Sequence, residues 1–447
     1  MVFNSNFVST PSNKLLNINN LRWNHNEKNQ THRNQFAKDR DRILYSKSFL
    51  RLRGKTQIFM IPKNDYIRTR LTHTLEVNQL AKSIASALGQ NLDLVEAIAL
   101  GHDVGHTPFG HVGERKLAEI IEEDGQTFSN MKKGFKHNLQ ALRLFCDLEK
   151  GADYPHFNGL NLTKYTLWGI AHHSSIPVKD VNGEQVLKHP VYKGYLNEIK
   201  NYWSFEGYIV ALADEIAQRH HDIEDGLRYG MISRSDLLGQ IETFQQLFHL
   251  SERNCLKRLR DEANLLEESV FNSLFSRLVI NMYVTDAVKN TKNNLRQFIM
   301  NNNITKQEDF QHMKLNLAEN EYKDCVALSS KLKSYDKNFH NFLKSSILQS
   351  YQAQALDGKA AYIIRKLYKA FVETPSLLPD ATIKSYARFL GLQTNQRGEI
   401  LKDIENARGS MDKDKLCEFY RCIVDYIGGM TDQFAYDEFD RLYGSKF

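Results

Sequence analysis

Proline and cysteine are both scarce in this chain of 447 residues, and each scarcity excludes something. Eight prolines leave long stretches free to run as helix, and no Pro-, Gly- or Ser-rich linker divides the chain into independent halves. The five cysteines, Cys146, Cys255, Cys325, Cys417 and Cys422, are odd in number and form no CxxC pair. That excludes a disulfide framework and a thiolate zinc site, and points to a reducing cytoplasm. No apolar run approaches the roughly 18 residues of a membrane helix. The N-terminal MVFNSNFVSTPSNKLLNINN lacks a basic start followed by an apolar stretch. A cytoplasmic protein with no membrane partner is expected. Charge of one sign is also in short supply: a net +6 spread along the chain suits a polyanionic small substrate and a weak, salt-sensitive nucleic-acid contact equally.

What is present is helical periodicity. Apolar residues recur at three-and-four spacing in LEVNQLAKSIASAL and SFEGYIVALADEIAQRHHDIEDGL, which predicts an all-α protein, a bundle of helices. Residues 1–30, rich in asparagine, read as a mobile arm, and the folded body begins at Arg33–Leu52. The stretch KTQIFMIPKNDYIR changes period and predicts a short β hairpin or arm at 55–68. A helix is expected from Thr69 to Leu88, ended by Gly89, and another from Leu92 to His102. A tight loop through Gly105, Pro108 and Gly110 follows, with the next helix starting at His111 or Val112. The domain reading is a core over 31–285, a charged helical insertion over 286–345 and a C-terminal helical region over 346–447. The Asn-rich pieces KNTKNN and MNNNITKQED read as exposed connections.

The segment GHDVGHTPFGH, residues 101–111, holds three histidines and an aspartate. A divalent metal needs neutral imidazole and carboxylate ligands converging from rigid elements. His102 and Asp103 end an apolar helix, and two adjacent residues, about 100° apart on a helix, can reach one ion only near such an end. His73 shares a helical face with Val77 and Leu80, while Asp214 interrupts the apolar run IVALADEIA, where a carboxylate is costly unless paired or bound to a cation. Taken alone, His73 reads as a core histidine and Asp214 as half of a buried ion pair; together with the HD dipeptide they read as four metal ligands. The order H…HD…D resembles the HD-domain superfamily of metal-dependent phosphohydrolases. With four ligands in place, His106 and His111 are left for acid–base work. Glu114, three residues after His111, shares its face and is placed to fix its tautomer, and His137 is a candidate to join them against a bland reading as a cap.

The flanks sharpen the resemblance. DRDRILYSKSFLRLRGKTQIF, NDYIRTRLTHTLEV, ALGHDVGHTPFGHVGE, FKHNLQALRL, IVALADEIAQRHHDIEDGL and DYIGGMTDQFA resemble, in order, the motifs of the deoxyguanosinetriphosphate triphosphohydrolase-like proteins. The resemblance implies hydrolysis of a deoxynucleoside triphosphate (dNTP) to the deoxynucleoside and inorganic triphosphate, by attack of water at the α-phosphorus. It implies a divalent ion, Mn²⁺ or Mg²⁺ first, with Fe²⁺, Co²⁺ and Ni²⁺ as further candidates, that polarises the phosphate and acidifies the attacking water. Arg70, on the face of His73, would neutralise phosphate charge; His111 and Glu114 resemble the pair that assists proton transfer; His106 and His137 resemble phosphate-contacting or relay residues.

Gln57 and Asp222 match family positions at the deoxyribose, and Gln218 stands where relatives have a tyrosine that helps exclude a ribose 2′-hydroxyl. A solvated polar face is the plain alternative for Asp222, His221 and Glu224, and His172-His173 reads as structural. The resemblance also implies a homo-oligomer, a hexamer in relatives, and a dNTP effector between subunits. Two other readings stay open: another HD phosphohydrolase acting as a nucleotidase or phosphodiesterase, and a regulatory protein binding single-stranded DNA.

Overall fold

The computed structural model describes residues 21–25, 33–57, 68–123, 134–151, 156–181, 184–242, 250–262, 265–305, 309–310, 313, 317, 319–348 and 350–444. Helices dominate them. Helices α1 (Gln35–Leu44) and α2 (Lys47–Arg51) start from the caps Asn34 and Ser46, whose side chains accept the amides of Ala37 and Phe49. Helix α3 (Arg70–Leu88) begins with a reciprocal pair between Thr69 and Thr72 and ends at Gly89, where φ of 65° gives the left-handed turn that glycine adopts freely. Asn91 caps α4 (Leu92–Gly101). Among the described residues, no helix is long and apolar enough to cross a membrane.

The first core is built on α4, whose apolar face packs against α1, α3, α7 (Lys164–His172) and α9 (Phe205–Arg228). Between these lie α5 (Gly110–Glu123), which starts one residue before the earlier expected position, and α6 (His137–Arg143), continued by a π turn over Leu144–Leu148. Helices α8 (Lys193–Ile199), α10 (Arg234–Glu242), α11 (Leu250–Asp261), α12 (Glu268–Asn301), α13 (Glu319–Tyr322) and α14 (Ser330–Leu348) follow, and α12 and α14 pack on α9. A second core gathers α15 (Tyr351–Glu373), α16 (Asp380–Phe389), α17 (Arg397–Ser410), α18 (Lys413–Gly428) and α19 (Asp432–Tyr443). Leu117, Ile120 and Ile121 of α5, at helical spacing, belong to this second core, so the helix that carries His111 and Glu114 rides on the C-terminal helices.

Several expectations meet a different structure. Of the 55–68 arm, 58–67 lies outside the described residues; its ends pair as an isolated antiparallel bridge, Thr56 with Thr69, and the Arg70 amide donates to Lys55 O at 2.9 Å. The two-stranded antiparallel sheet lies elsewhere, β1 (Val178–Val181) with β2 (Glu184–Leu187), where no strand was expected. KNTKNN is no connection but part of α12, because Asn290 and Asn294 spend their amides on the carbonyls of Ala327 and Asp324 at 2.9 and 3.1 Å. Tertiary partners satisfy the polar groups that composition alone assigns to solvent. Within the N-terminal arm, residues 21–25 are docked: buried Arg22 binds Asp39 at 3.0 Å.

Candidate active site

Three helices bring the four expected ligands together. Asp214 Oδ1, from the middle of α9, lies 3.0 Å from His73 Nε2 of α3 and 3.8 Å from His102 Nε2 at the end of α4. The two imidazole Nε2 atoms are 3.4 Å apart, and Asp103 Oδ1 and Oδ2 lie 3.8 and 3.9 Å from them. His73, His102 and Asp103 are buried.

The tautomers follow from the partners behind these atoms. His102 Nδ1 donates to Ala99 O at 2.6 Å, which leaves Nε2 as a lone pair facing the group. Behind His73 lies His221, Nδ1 to Nδ1 at 3.3 Å, and His221 Nε2 is 2.6 Å from Glu76 Oε2. Burial lowers the His221 imidazole to about 3, so it is neutral. Its one proton then goes to Glu76, its Nδ1 accepts from His73, and His73 Nε2 also turns a lone pair inward. Two lone pairs and the Asp103 carboxylate therefore lie within 4.8 Å of one another, and Asp214 reaches both imidazoles from the other side at 3.0 and 3.8 Å, a donor set that suits a divalent cation. Asp103 is anionic: burial alone would raise its carboxyl, but Arg70, followed by His106, holds it well below the ordinary range.

Arg70, buried on the first turn of α3, donates from Nη1 to Asp103 Oδ2 at 2.8 Å. Among the described residues its Nε and Nη2 have no partner, and neither has the buried Oε1 of Gln57. A guanidinium with two open donors beside a cation site is built to take an anion's oxygens. Gly110 closes this corner: with φ of 58°, a Cβ there would stand 3.1 Å from Arg70 Nη2.

The second cluster holds His106, His111, Glu114 and His137. His106 Nε2 donates to Asp103 Oδ1 at 3.1 Å, and its buried Nδ1 is without a partner among the described residues; burial and then Arg70 push the imidazole well below its usual range, so Nδ1 is an open acceptor. The ring stacks on His137 with centroids 3.8 Å apart. His111 is exposed, 5.1 Å ring to ring from His106. The protein packed around it, followed by Arg70 and His137, lowers it to about 4.

Glu114 does not serve His111 as its spacing suggested. Its Oε1 accepts from Lys136 Nζ at 2.8 Å, and its Oε2 lies 2.5 Å from His137 Nδ1 and 3.0 Å from the His137 amide. The carboxylate therefore orients His137. Opposing its burial, His137, His106 and Lys136 hold it far below the normal carboxylate range.

His173, read from sequence as structural, stands between the two clusters. Its Nδ1 donates to Ile170 O at 2.7 Å, its Nε2 lies 3.3 Å from His137 Nε2, and its ring is 5.0 Å from that of His102. His172 is indeed packing, stacked on Trp168 at 4.2 Å. His221 and Glu76 were also missed as partners of a ligand. The signals were there: Glu76 follows His73 by three, the same spacing as His111 and Glu114, and seven residues from Asp214 to His221 bring a helix back to within about 20°. Asp222, eight residues on, is turned by about 80°. The charged groups that act on it are Arg219 and Asp225; burial, opposed by Arg219 and aided by Asp225, raises its carboxyl to about 7. Gln218 is half-buried one turn after Asp214.

The chain matches the family described as HD domain over residues 70–219 and that described as phosphohydrolase-associated domain over residues 326–441. It is similar along nearly its whole length to curated relatives named deoxyguanosinetriphosphate triphosphohydrolase-like protein. The one from Geobacter metallireducens is 33% identical over 92% of this chain and 89% of the relative. Those from Rickettsia felis and Cereibacter sphaeroides are 32% and 33% identical, covering 93% and 94% of this chain and 94% and 95% of their own.

Proposed function

The chain belongs to the deoxyguanosinetriphosphate triphosphohydrolase-like family and is an HD-domain phosphohydrolase; from that premise we propose that it hydrolyses deoxynucleoside triphosphates to the deoxynucleoside and inorganic triphosphate. The observation that carries the proposal is buried Arg70, two of whose donors have no partner among the described residues, beside the four candidate ligands. A divalent ion held by His73, His102, Asp103 and Asp214, Mn²⁺ or Mg²⁺ in this proposal, supplies Lewis-acid polarisation of the α-phosphate.

The remaining chemistry belongs to the side chains. Arg70 Nε and Nη2 bind phosphate oxygens, and the Asp103 carboxylate keeps the guanidinium oriented. His106 Nδ1, an open acceptor, and neutral His111 face the reacting bond, where one takes a proton from water. His137 and His173 turn their Nε2 atoms toward each other, and the Glu114 carboxylate against His137 Nδ1 orients the His137 ring. In this reading His137 relays a proton to the leaving 5′-oxygen. Gln57, beside Gly110, and Gln218 are the sugar contacts in this reading, and Asp222 enters only if substrate draws the nearby turn of α9 inward.

The proposal extends to a cytoplasmic enzyme, consistent with five free cysteines, and to a homo-oligomer formed in part through residues 346–447, with a dNTP as effector. The test is incubation of the metal-loaded protein with each of the four dNTPs and with GTP, with products resolved by ion exchange. Deoxynucleoside plus triphosphate is the expected outcome. Release of diphosphate or monophosphate moves the scissile bond and overturns it, and turnover of GTP shows that Gln218 does not exclude ribose.

A further inference from the structure

We propose that Asp432, on the first turn of α19, is a positioning residue that fixes the separation of the two walls of the phosphate cleft; the inference rests on the triphosphohydrolase reading above. Its carboxylate is buried and divided between the walls. Oδ2 accepts the Thr56 amide at 2.9 Å and the Thr56 hydroxyl, while Oδ1 accepts the Phe109 amide at 2.9 Å.

Each of those residues adjoins a group that the chemistry needs. Thr56 precedes Gln57 and pairs across the bridge with Thr69, the cap of α3, so it sets where Arg70 begins. Phe109 precedes Gly110, which opens α5 and so places His111. The two walls come close at Gly110, where an added Cβ would stand 3.1 Å from Arg70 Nη2. A shift of either wall therefore changes the distance between the anion-binding guanidinium and His111.

The loop needs such a hold. Phe109 has φ of 65°, a left-handed conformation that a bulky side chain rarely adopts and keeps only when its surroundings over-determine it. Helix α19 supplies both constraints: Asp432 takes the amide, and Tyr436, one turn on, meets the Phe109 ring edge-on with centroids 5.2 Å apart. A second tie runs in parallel, since buried Lys55 donates to Gly428 O at 3.0 Å and to His106 O. The C-terminal helices thus grip both walls from behind, without supplying any of the four ligands.

The test uses the full-length chain with Asp432→Asn, Asp432→Ala, Thr56→Val and Thr56→Ser. Three readouts are taken: Mn²⁺ affinity by calorimetry, hydrogen–deuterium exchange of the 104–111 segment, and kcat and KM for the best dNTP. Asn retains one acceptor oxygen and releases one wall; Ala releases both. The expected result is unchanged Mn²⁺ affinity, faster exchange of 104–111, and a fall in kcat that is intermediate for Asn and about 10- to 100-fold for Ala. Thr56→Val should lose activity with Asp432→Asn, while Thr56→Ser, which keeps the hydroxyl donor, should hold it. Wild-type exchange and wild-type kcat in folded Asp432→Asn and Thr56→Val would overturn the proposal, as would loss of Mn²⁺ affinity, which would make Asp432 a support of the ligand set instead. If the Ala variant does not fold, the Asn and Thr56 variants decide. A wild-type protein that hydrolyses no dNTP defeats the function reading alone, because the exchange and Mn²⁺ measurements still report on the walls.

Discussion

His221 Nδ1 lies 3.3 Å from His73 Nδ1, joining α9 to α3 one layer behind the ligand atoms, and Glu76 closes the chain at 2.6 Å from the other nitrogen of His221. The arrangement determines which nitrogen of His73 faces the cation. Replacing His221 by Phe removes the acceptor for His73 Nδ1 and frees the ring to take the wrong tautomer. Mn²⁺ affinity should fall about 10- to 100-fold, measured by calorimetry, with the fold retained. Glu76→Gln should act in the same direction and less strongly. Unchanged affinity in both would show that His73 is oriented by packing alone.

His102→Ala and Asp103→Ala each remove a proposed ligand, so metal binding and turnover should vanish together. His111→Ala should bind Mn²⁺ as the wild type does and lose rate, on the order of 10²- to 10⁴-fold. Metal content by elemental analysis beside initial rates separates the two classes. A His111→Ala protein that cannot retain metal would refute this division of roles.

Arg70 and Asp103 form a buried pair at 2.8 Å. Arg70→Ala leaves the Asp103 carboxylate without that partner, and should destabilise the metal-free protein by about 3–5 kcal/mol. Added Mn²⁺ should recover part of the loss, since a cation compensates the same carboxylate. Arg70→Lys restores charge but not the planar fork, so its stability should be nearer wild type while KM stays raised. Thermal unfolding with and without EDTA, beside steady-state kinetics, tests both statements.

His220 gives the pH dependence a sign. Burial alone would lower its imidazole, but hydrogen bonds to Glu224 and Glu76, at 3.2 and 3.3 Å, raise it to about 9. Its folded value therefore lies above the unfolded value of about 6.5. The stabilisation is fully present below about pH 6.5 and is lost as pH rises through about 9. His220→Gln should cost on the order of 1–3 kcal/mol at pH 6 and much less at pH 9.5, read from urea unfolding at the two pH values. An equal cost at both would mean that His220 contributes by packing and not by charge.

Much of this was legible in the chain itself. Thr69 and Gly89 mark the ends of α3 because capping is local: a threonine side chain and a glycine backbone act on amides and carbonyls a few residues away. His102-Asp103 at the end of an apolar helix and Asp214 inside another announce themselves because burying such groups is costly without a cation. KNTKNN misled because asparagine favours turns when its amide has only local partners, and in α12 the partners come from residues 324 and 327.

The sequence by itself determined the helices and the family and marked the candidate ligands, since these depend on local periodicity and on which chemistry each side chain can offer. Only the tertiary structure decided that Glu114 binds His137 as well as following His111 on its helix, that His173 and His221 stand beside the candidate ligands, and that Asp432 takes the amides of both Thr56 and Phe109. The reason is physical. A helix's own spacing sets which residues share a face, but which neighbour that face meets depends on the rotation and crossing of helices far apart in the chain, and a turn of about 80° is enough to exchange one partner for another.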